Sequence, residues 1–308
     1  MSDLAHAKLS LPNGAAIPAL GFGTLIPDPA VTKTAVTTAL QVGFRHLDCA
    51  ERYRNEREIG EAIRAALSSG ALRRQDLFVT TKLWNNNHRP ERVAPALRAS
   101  LERLELDYVD LYLIHTPFAF KPGDDQEPRG ADGKLIYDDG VTLVDTWHAL
   151  EAQVDAGACR AIGLSDASQA NLSDVLAAAR IRPAVIQVEA HPYLPQWELL
   201  EYCRREGVVL LAFASLGHGM KPRLLDDPIV ADIARRTGKT PAEVLLAWAV
   251  QRGTALLTTA KTPSRIRENF DVSQIPDDAM TQLNAIDTRR RFNLVVDTGL
   301  PGFIPQGS

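Results

Sequence analysis

The 308-residue chain has few cysteines and no marked excess of charge of either sign. Its three cysteines, Cys49, Cys159 and Cys203, form neither a CxxC pair nor an even set for disulfides, which favours structural thiols in a reducing compartment. The formal net charge of -4 gives no electrostatic reason to bind nucleic acid or an anionic membrane, because both call for a basic surface. A small molecule is therefore the favoured ligand class.

Long apolar runs are also missing. Residues 1–6 have neither the basic start nor the apolar centre of a secretory signal, and no stretch approaches the roughly 18 apolar residues of a membrane helix. We therefore expect a cytoplasmic protein without a membrane partner. The composition, 45% hydrophobic and 23% charged, is that of a globular protein with one large core. We predict a single domain over residues 1–308, as a monomer or weak oligomer.

Short runs rich in β-forming residues alternate with longer amphipathic runs. Eight such runs are predicted as strands: residues 19–23, 45–50, 77–83, 109–115, 160–165, 185–189, 208–213 and 255–259. Helical patterns lie between them. Asp28 before Pro29 predicts one capped helix start, and Thr240 with Glu243 predicts a capping box at another. Strict alternation predicts the α/β class and a parallel (β/α)8 TIM barrel, whose active site lies at the carboxyl ends of its strands.

Two segments interrupt this alternation. Residues 8–17 contain Pro12, Asn13 and Gly14 between short apolar flanks, which predicts a β-hairpin that closes the floor of the barrel. Residues 117–141 form a long stretch rich in glycine, aspartate and proline. Loops of more than about 15 residues are usually functional, so we expect this one to lie over the carboxyl-end face.

Polar side chains suited to proton transfer stand at the ends of successive predicted strands. Asp48 lies in GFRHLDCA (residues 43–50) and Tyr53 follows it, Lys82 lies in TTKLW (80–84), and His115 ends DLYLIH (110–115). With QVEAHPY (187–193), these motifs arrive in the order and spacing of the aldo-keto reductase superfamily, which the chain resembles over nearly its whole length. The resemblance implies a TIM barrel, NAD(P)H as cofactor, and reduction of a carbonyl group to an alcohol.

The resemblance implies that Tyr53 is the general acid, that Asp48 and Lys82 tune it, and that His115 orients the carbonyl. An ammonium about 4 Å from a phenol is worth about 4 kcal/mol at an effective dielectric near 20, so we expect Lys82 to bring the pKa of Tyr53 toward neutrality. Asp48 would hold the buried Lys82 charged, and a neutral His115 could donate to the substrate oxygen. Taken one at a time, Asp48 and Lys82 could form a structural ion pair, Tyr53 could be a rim aromatic, and His115 could be a core histidine. The joint pattern at successive strand ends favours catalysis.

By the same resemblance, other residues hold the nicotinamide end of the cofactor. Ser165 and Gln187 hold its carboxamide, and Phe213 stacks on its ring where the family usually has tyrosine. Asp166 stands where the family commonly has asparagine; an ionised carboxylate only accepts hydrogen bonds, so it either contacts the carboxamide NH2 alone or turns away. Thr24 and Asp48 also belong to this set, and Thr24 borders the cofactor. Leu216 and Gly217 begin the loop that covers the pyrophosphate.

Residues 261–269 resemble the family's clamp for the adenosine phosphate but are shorter than its commonest form. The clamp residues are Lys261, Thr262, Arg265, Glu268 and Asn269. Because a 2′-phosphate is bound well by lysine and arginine, NADPH is favoured over NADH. The alternative is that Arg265 and Arg267 form a solvated helix face.

The substrate pocket is predicted to be apolar and aromatic. Its expected lining is Leu25, Trp84, His115, Phe118 and Phe120, with the tail from Arg289 onward closing one side. This lining suits apolar or aromatic aldehydes and ketones, and the reaction could run in either direction.

Two other functions are compatible with parts of this sequence. Some relatives of this family are cofactor-sensing subunits without significant turnover, although here the four catalytic residues are intact. A barrel hydrolase would use Asp48 and Glu51 as paired carboxylates, which leaves Lys82 unexplained. No metal site is expected, since His46, Asp48 and Cys49 alternate along one strand without a matching ligand elsewhere.

Overall fold

Two short antiparallel strands precede eight parallel strands that close into a barrel. The computed structural model describes residues 3–293. The hairpin strands are β1 (Lys8–Ser10) and β2 (Ala16–Pro18). The barrel strands are β3 (Leu20–Gly23), β4 (His46–Asp48), β5 (Phe78–Leu83), β6 (Val109–Ile114), β7 (Cys159–Ser165), β8 (Val185–Glu189), β9 (Val209–Phe213) and β10 (Ala255–Thr258). The predicted TIM barrel is confirmed, and every predicted strand end lies within two residues of the observed one.

Helices surround the barrel. They are α1 (Pro29–Val42), α2 (Glu56–Ser68), α3 (Pro90–Leu104), α4 (Leu143–Asp155), α5 (Gln169–Ala178), α6 (Trp197–Glu206), α7 (Pro228–Thr237), α8 (Pro241–Gln251), α9 (Pro263–Phe270) and α10 (Asp277–Asn284). Both predicted caps are present: Asp28 accepts a hydrogen bond from the Val31 N–H, and Thr240 and Glu243 form a reciprocal capping box. Of the helices between residues 3 and 293, none has the length and apolar character needed to cross a membrane.

Alternation along the barrel strands separates their side chains into two apolar clusters. Leu47 and Tyr112 belong to the large cluster that also includes the helices, whereas Leu111 and Leu113 belong to a smaller one. Since successive side chains of a strand point to opposite faces, the smaller cluster fills the barrel interior. Lys82 pairs with Leu113 in the register of β5 and β6, and it therefore also points inward.

The hairpin closes the amino-terminal end of the barrel, as predicted. Leu11 and Ile17 join the interior cluster. Asn13 Nδ2 donates to the main-chain carbonyl of Arg160, at the start of β7, at 3.0 Å. The hairpin side chains thus fill the barrel interior from its amino-terminal end.

Replacing Thr240 by alanine should lower the free energy of unfolding by about 1 kcal/mol, because the Glu243 N–H loses its acceptor at the start of α8. Urea unfolding followed by circular dichroism measures this loss. Thr281→Ala is the matched control, since Thr281 lies inside α10 and its hydroxyl donates to the Asp277 carbonyl one turn back, so its removal unpairs no donor. Equal losses in the two variants would contradict the capping role.

Candidate active site

The carboxyl ends of the barrel strands surround a cavity of about 380 Å³. Side chains from separate strands meet there because the ends of parallel strands share one face of the barrel. The predicted site residues in its wall are Thr24, Leu25, Asp48, Tyr53, Trp84, His115, Ser165, Asp166, Gln187, Phe213 and Leu216. The structure therefore brings together most of the residues singled out from the sequence.

Lys82 is the centre of a buried polar cluster at the base of this cavity. Its Nζ donates to Asp48 Oδ2 at 2.6 Å, to the Cys49 carbonyl at 2.9 Å and to the Tyr53 hydroxyl at 3.1 Å. Asp48 Oδ1 accepts a further hydrogen bond from Gln187 Nε2 at 2.8 Å. All three ammonium donors are thus used, and both carboxylate oxygens are held.

Local structure brings these side chains into contact. Asp48 ends β4 and pairs in register with Thr80, two residues before Lys82, so both charged side chains point into the barrel. Tyr53 ends a single 3-10 turn, Glu51–Tyr53, and its N–H donates to the Ala50 carbonyl. The turn returns the chain to the barrel mouth and places the phenol over Lys82.

Burial and charge act in opposite directions on the protonation of this cluster. Burial by itself lowers the pKa of Lys82, but Asp48 and Tyr53 raise it above its usual value, so the lysine stays charged as predicted. Burial raises the pKa of Tyr53, and the nearby Lys82 offsets this only in part. The expectation of a Tyr53 pKa near neutrality was wrong, because it counted the ammonium and omitted the lost hydration of the phenolate. Tyr53 therefore keeps its proton at neutral pH.

His115 lies beside both Tyr53 and Trp84 in the cavity wall. Its ring centroid is 5.7 Å from that of Tyr53 and 5.0 Å from that of Trp84. Burial, together with the charges of Lys82 and Arg52, holds the pKa of His115 well below its usual value. The imidazole is therefore neutral at physiological pH, which is the state that its expected role as a donor requires, with one ring nitrogen as donor and the other as acceptor.

The part of the wall formed by β7 to β9 suits a flat ring that carries a carboxamide. Ser165 and Gln187 pair in register at the ends of β7 and β8, and Phe213 ends β9 beside them. Gln187 gives its amide N–H to Asp48, which leaves its carbonyl oxygen as an acceptor. A hydroxyl, an amide oxygen and an aromatic face on one side of the cavity fit a nicotinamide group.

Asp166 is a buried carboxyl group in the same wall. Its backbone is left-handed, with φ of 53°, and its Oδ2 accepts a hydrogen bond from Asn293 Nδ2 at 3.4 Å. Burial raises the pKa of Asp166 to about 7, Arg291 opposes this rise, and Glu189 adds to it. Near neutral pH the group is thus partly protonated and can donate as well as accept, an option that the sequence did not indicate.

The predicted clamp lies beyond the end of β10, outside the cavity wall. Lys261, Thr262 and Arg265 are exposed where α9 begins. Asn269 is buried, and its Nδ2 donates to Thr258 Oγ1, which lines the cavity, at 2.8 Å. Glu268 is partly buried next to it. The two cations, Lys261 and Arg265, thus lie on the surface near the cavity residue Thr258 and not in the cavity wall.

The predicted substrate residues divide into two groups. Leu25 and Trp84 line the cavity, whereas Phe118 and Phe120 are not among its lining residues. Phe120 is buried behind Trp84, at 6.0 Å between ring centroids, because the long loop folds back on itself. Gly217 is buried one residue beyond Leu216 and is likewise not in the wall.

The long loop does lie over this face, as predicted. Trp84 Nε1 donates to the Gln126 carbonyl at 2.7 Å, and Arg52 forms an ion pair with Glu127. The Arg52 guanidinium also lies 5.4 Å from the centre of the Trp84 ring. These contacts fix the loop against the substrate side of the cavity.

Arg52 and Ser215 line the wall and were not predicted from the sequence. His218 also lines it, and Asn293 belongs to the tail from Arg289 onward that was predicted to close one side. The position of Arg52 directly before Tyr53 was the available signal for it. Asn293 reaches the cavity because the Glu189 carboxylate accepts from the N–H groups of Phe292 and Asn293, at 2.6 and 2.8 Å, which no local pattern indicates. The rest of the predicted closing tail, residues 294–308, lies outside the described residues.

The structure gives no support to a hydrolase. Asp48 is bonded to Lys82 and Gln187, while Glu51 accepts from Trp84 and Asn87 and does not line the cavity. The two carboxylates therefore do not face each other across a reaction centre. Within residues 3–293, no three His, Cys, Asp or Glu side chains are grouped so that they could hold a metal ion.

Comparison with known proteins agrees with this geometry. A family model described as "Aldo/keto reductase family" matches residues 19–288. Aldo-keto reductase family 1 member A1 of Rattus norvegicus is 44% identical over 297 residues, covering 93% of this chain and 91% of that protein. Its Homo sapiens counterpart is 44% identical over 300 residues, covering 94% and 92%. The solved structure of an aldose reductase from Schistosoma japonicum gives a TM-score of 0.91 at 41% identity, covering 98% of this chain and 99% of its own.

Asp166→Asn should stabilise the protein increasingly as the pH rises. In the folded protein the pKa of Asp166 is raised from 3.8 to about 7, so between these pH values the native state holds a proton that the unfolded chain has lost. The stability of the wild-type protein therefore falls as the pH rises through this window. The asparagine variant does not titrate and loses nothing. The difference in unfolding free energy should widen by up to about 1.4 kcal/mol per pH unit. Denaturant unfolding across this pH range measures it, with the exposed Asp174→Asn as the control for loss of one carboxylate. If the difference in unfolding free energy between the two proteins stayed constant with pH, Asp166 would not be protonated in the folded protein.

Proposed function

Because this chain belongs to the aldo/keto reductase family and is an NAD(P)H-dependent oxidoreductase acting on carbonyl groups, we propose that it reduces aldehydes or ketones with NADPH and uses Tyr53 as the acid. One observation carries the proposal. A single buried ammonium, on Lys82, holds both the Asp48 carboxylate and the Tyr53 hydroxyl at the base of a cavity suited to a nicotinamide and a small substrate.

Tyr53 supplies the proton of the reaction. The cofactor, when bound, supplies the hydride that becomes the new C–H bond of the alcohol. The Tyr53 hydroxyl gives its proton to the carbonyl oxygen, and the phenolate that remains is stabilised by the Lys82 ammonium at 3.1 Å. Asp48 keeps Lys82 charged throughout, because a buried ammonium without a counter-charge would lose its proton.

The other predicted residues bind and orient. Neutral His115 donates a hydrogen bond to the carbonyl oxygen beside Tyr53 and so fixes the direction in which the substrate enters. Ser165, Gln187 and the face of Phe213 would hold the nicotinamide. Thr24, Asp166 and Leu216 border that site, Gly217 begins the loop that would cover the pyrophosphate, and the clamp residues would bind the adenosine phosphate.

The substrates proposed are apolar or aromatic carbonyl compounds, in a reaction that can run in both directions. Leu25 and Trp84 form the apolar part of the wall, and Phe120 supports Trp84 from behind. Phe118 contacts Tyr137 of the same loop at 6.4 Å between ring centroids. An aromatic wall of this kind favours flat hydrophobic groups.

A cytoplasmic location and a monomeric or weakly associated state are also proposed. Cys49, Cys159 and Cys203 are free and buried, which suits a reducing compartment. The near-neutral charge balance favours small molecules over nucleic acid as ligands.

Tyr53→Phe should lower kcat for carbonyl reduction by about 100-fold or more, since it removes the proton donor and leaves the ring in place. Absorbance at the NADPH band, followed with a panel of aromatic and aliphatic carbonyls, measures this. Tyr137→Phe is the matched control, because Tyr137 is an exposed loop residue outside the cavity wall. Wild-type turnover in Tyr53→Phe would refute the acid role. If the wild-type protein itself binds the cofactor but reduces none of the carbonyl compounds, a sensing subunit is favoured instead.

Arg265→Met should weaken NADPH binding by about tenfold or more and leave NADH binding nearly unchanged, because only NADPH carries the 2′-phosphate that a guanidinium can hold. Fluorescence titration with both cofactors measures the two dissociation constants. Arg267→Met is the matched control, because Arg267 is also exposed but lies two residues further along α9, on the other side of the buried Ile266. Equal effects on the two cofactors would argue against the clamp.

A further inference from the structure

Building on the proposed reduction, we propose that Glu51 is a positioning residue whose carboxylate ties the turn that presents Tyr53 to the strand end that carries Lys82 and Trp84. Glu51 begins the 3-10 turn that ends at Tyr53, and it does not line the cavity. It therefore acts on the reaction through its neighbours and not by contact with substrate.

Both oxygens of the Glu51 carboxylate accept hydrogen bonds from one region. The Trp84 main-chain N–H donates to Oε2 at 3.3 Å, and Asn87 Nδ2 donates to Oε1 at 2.9 Å. Trp84 directly follows β5, and Asn87 ends the next 3-10 turn, Asn85–Asn87. One side chain thus joins the Tyr53 turn to the end of the Lys82 strand and to the segment after it.

The two partners require an acid at this position and not an amide. Trp84 offers a backbone N–H, which can only donate. Asn87 cannot reverse its amide without losing another bond, because its Oδ1 accepts from Arg92 Nε at 3.0 Å. A carboxylate accepts from both donors, whereas a glutamine would place its own NH2 against one of them. The charge of Glu51, more than its size, matches the site.

Burial and hydrogen bonding act in opposite directions on the charge of Glu51, and burial has the larger effect on its pKa. Burial raises the pKa of its carboxyl group, and the hydrogen bonds from Trp84 and Asn87 oppose that rise. Arg103 also lowers it and Glu56 raises it. A partly desolvated carboxylate is unfavourable unless it is hydrogen-bonded, so the tie and the charge depend on each other.

The tie controls the two walls between which a carbonyl must fit. Tyr53 and Trp84 both lie beside His115, with ring centroids 5.7 and 5.0 Å from its own. A displacement of about 1 Å at a reacting group can slow a reaction about 100-fold. The nicotinamide residues on β7 to β9 are remote from Glu51, so loss of the tie should lower kcat and leave NADPH affinity nearly unchanged.

A reciprocal exchange tests the hydrogen-bond pattern itself. In Glu51→Gln an amide faces the Asn87 amide, and in Asn87→Asp two carboxylates face each other, so each single variant should lose about tenfold or more in kcat. In the double variant the new amide donates to the new carboxylate, which still accepts from Arg92, while the amide oxygen accepts from Trp84. We expect the double variant to recover kcat to within about threefold of wild type. NADPH dissociation constants, measured on all four proteins, should agree within about twofold and so report intact folding.

Hydrogen exchange read by mass spectrometry on the same four proteins, without substrate, gives a readout independent of turnover. Exchange in residues 51–54 and 84–88 should be faster in both single variants and return to the wild-type rate in the double variant. If exchange follows this pattern while no protein reduces a carbonyl, the tie stands and the proposed function fails. The inference would be overturned if the single variants kept the wild-type kcat and the wild-type exchange rates. It would also be overturned if kcat of the double variant were as low as that of the single variants.

Discussion

The buried ammonium of Lys82 is the interaction on which the rest of the site depends. A charge removed from water is tolerated at this depth because all three of its donors are used, by Asp48, Cys49 and Tyr53. The same dry surroundings that strengthen these bonds keep Tyr53 protonated and His115 neutral. One constraint therefore sets the protonation states of all the groups that handle the proton.

The barrel and its loops contribute differently to this arrangement. Strand register fixes Asp48 and Lys82 side by side and brings Gln187 to the carboxylate from across the barrel. The substrate side is built from a turn and a long loop, and its order comes from individual polar contacts such as those of Glu51 and Trp84. The charged pair that acts on Tyr53 is thus placed on strands, while Tyr53 itself and the part that meets the substrate rest on a few hydrogen bonds that substitution can alter.

Much of the fold and of the site could be predicted because its signals are local. Period-two and period-3.6 patterns marked the eight strands and their helices, and caps such as Asp28 and Thr240 marked helix starts. The catalytic side chains stand at strand ends, so a correct strand assignment already placed them at one face. The contact that holds the predicted tail at the cavity could not be found in this way, since Asn293 is bound by Glu189, which is about a hundred residues away in the chain.

By itself, the sequence determined the barrel, the floor hairpin, and the presence of Asp48, Tyr53, Lys82 and His115 at one end, because strand order and side-chain alternation are properties of the chain. Tertiary structure decided the direction in which the pKa of Tyr53 is shifted, the protonation of Asp166, and which aromatic residues reach the cavity. Desolvation depends on every atom that displaces water from a group, and those atoms come from distant segments. Their sum exists only once the barrel has closed and the loops have packed over it.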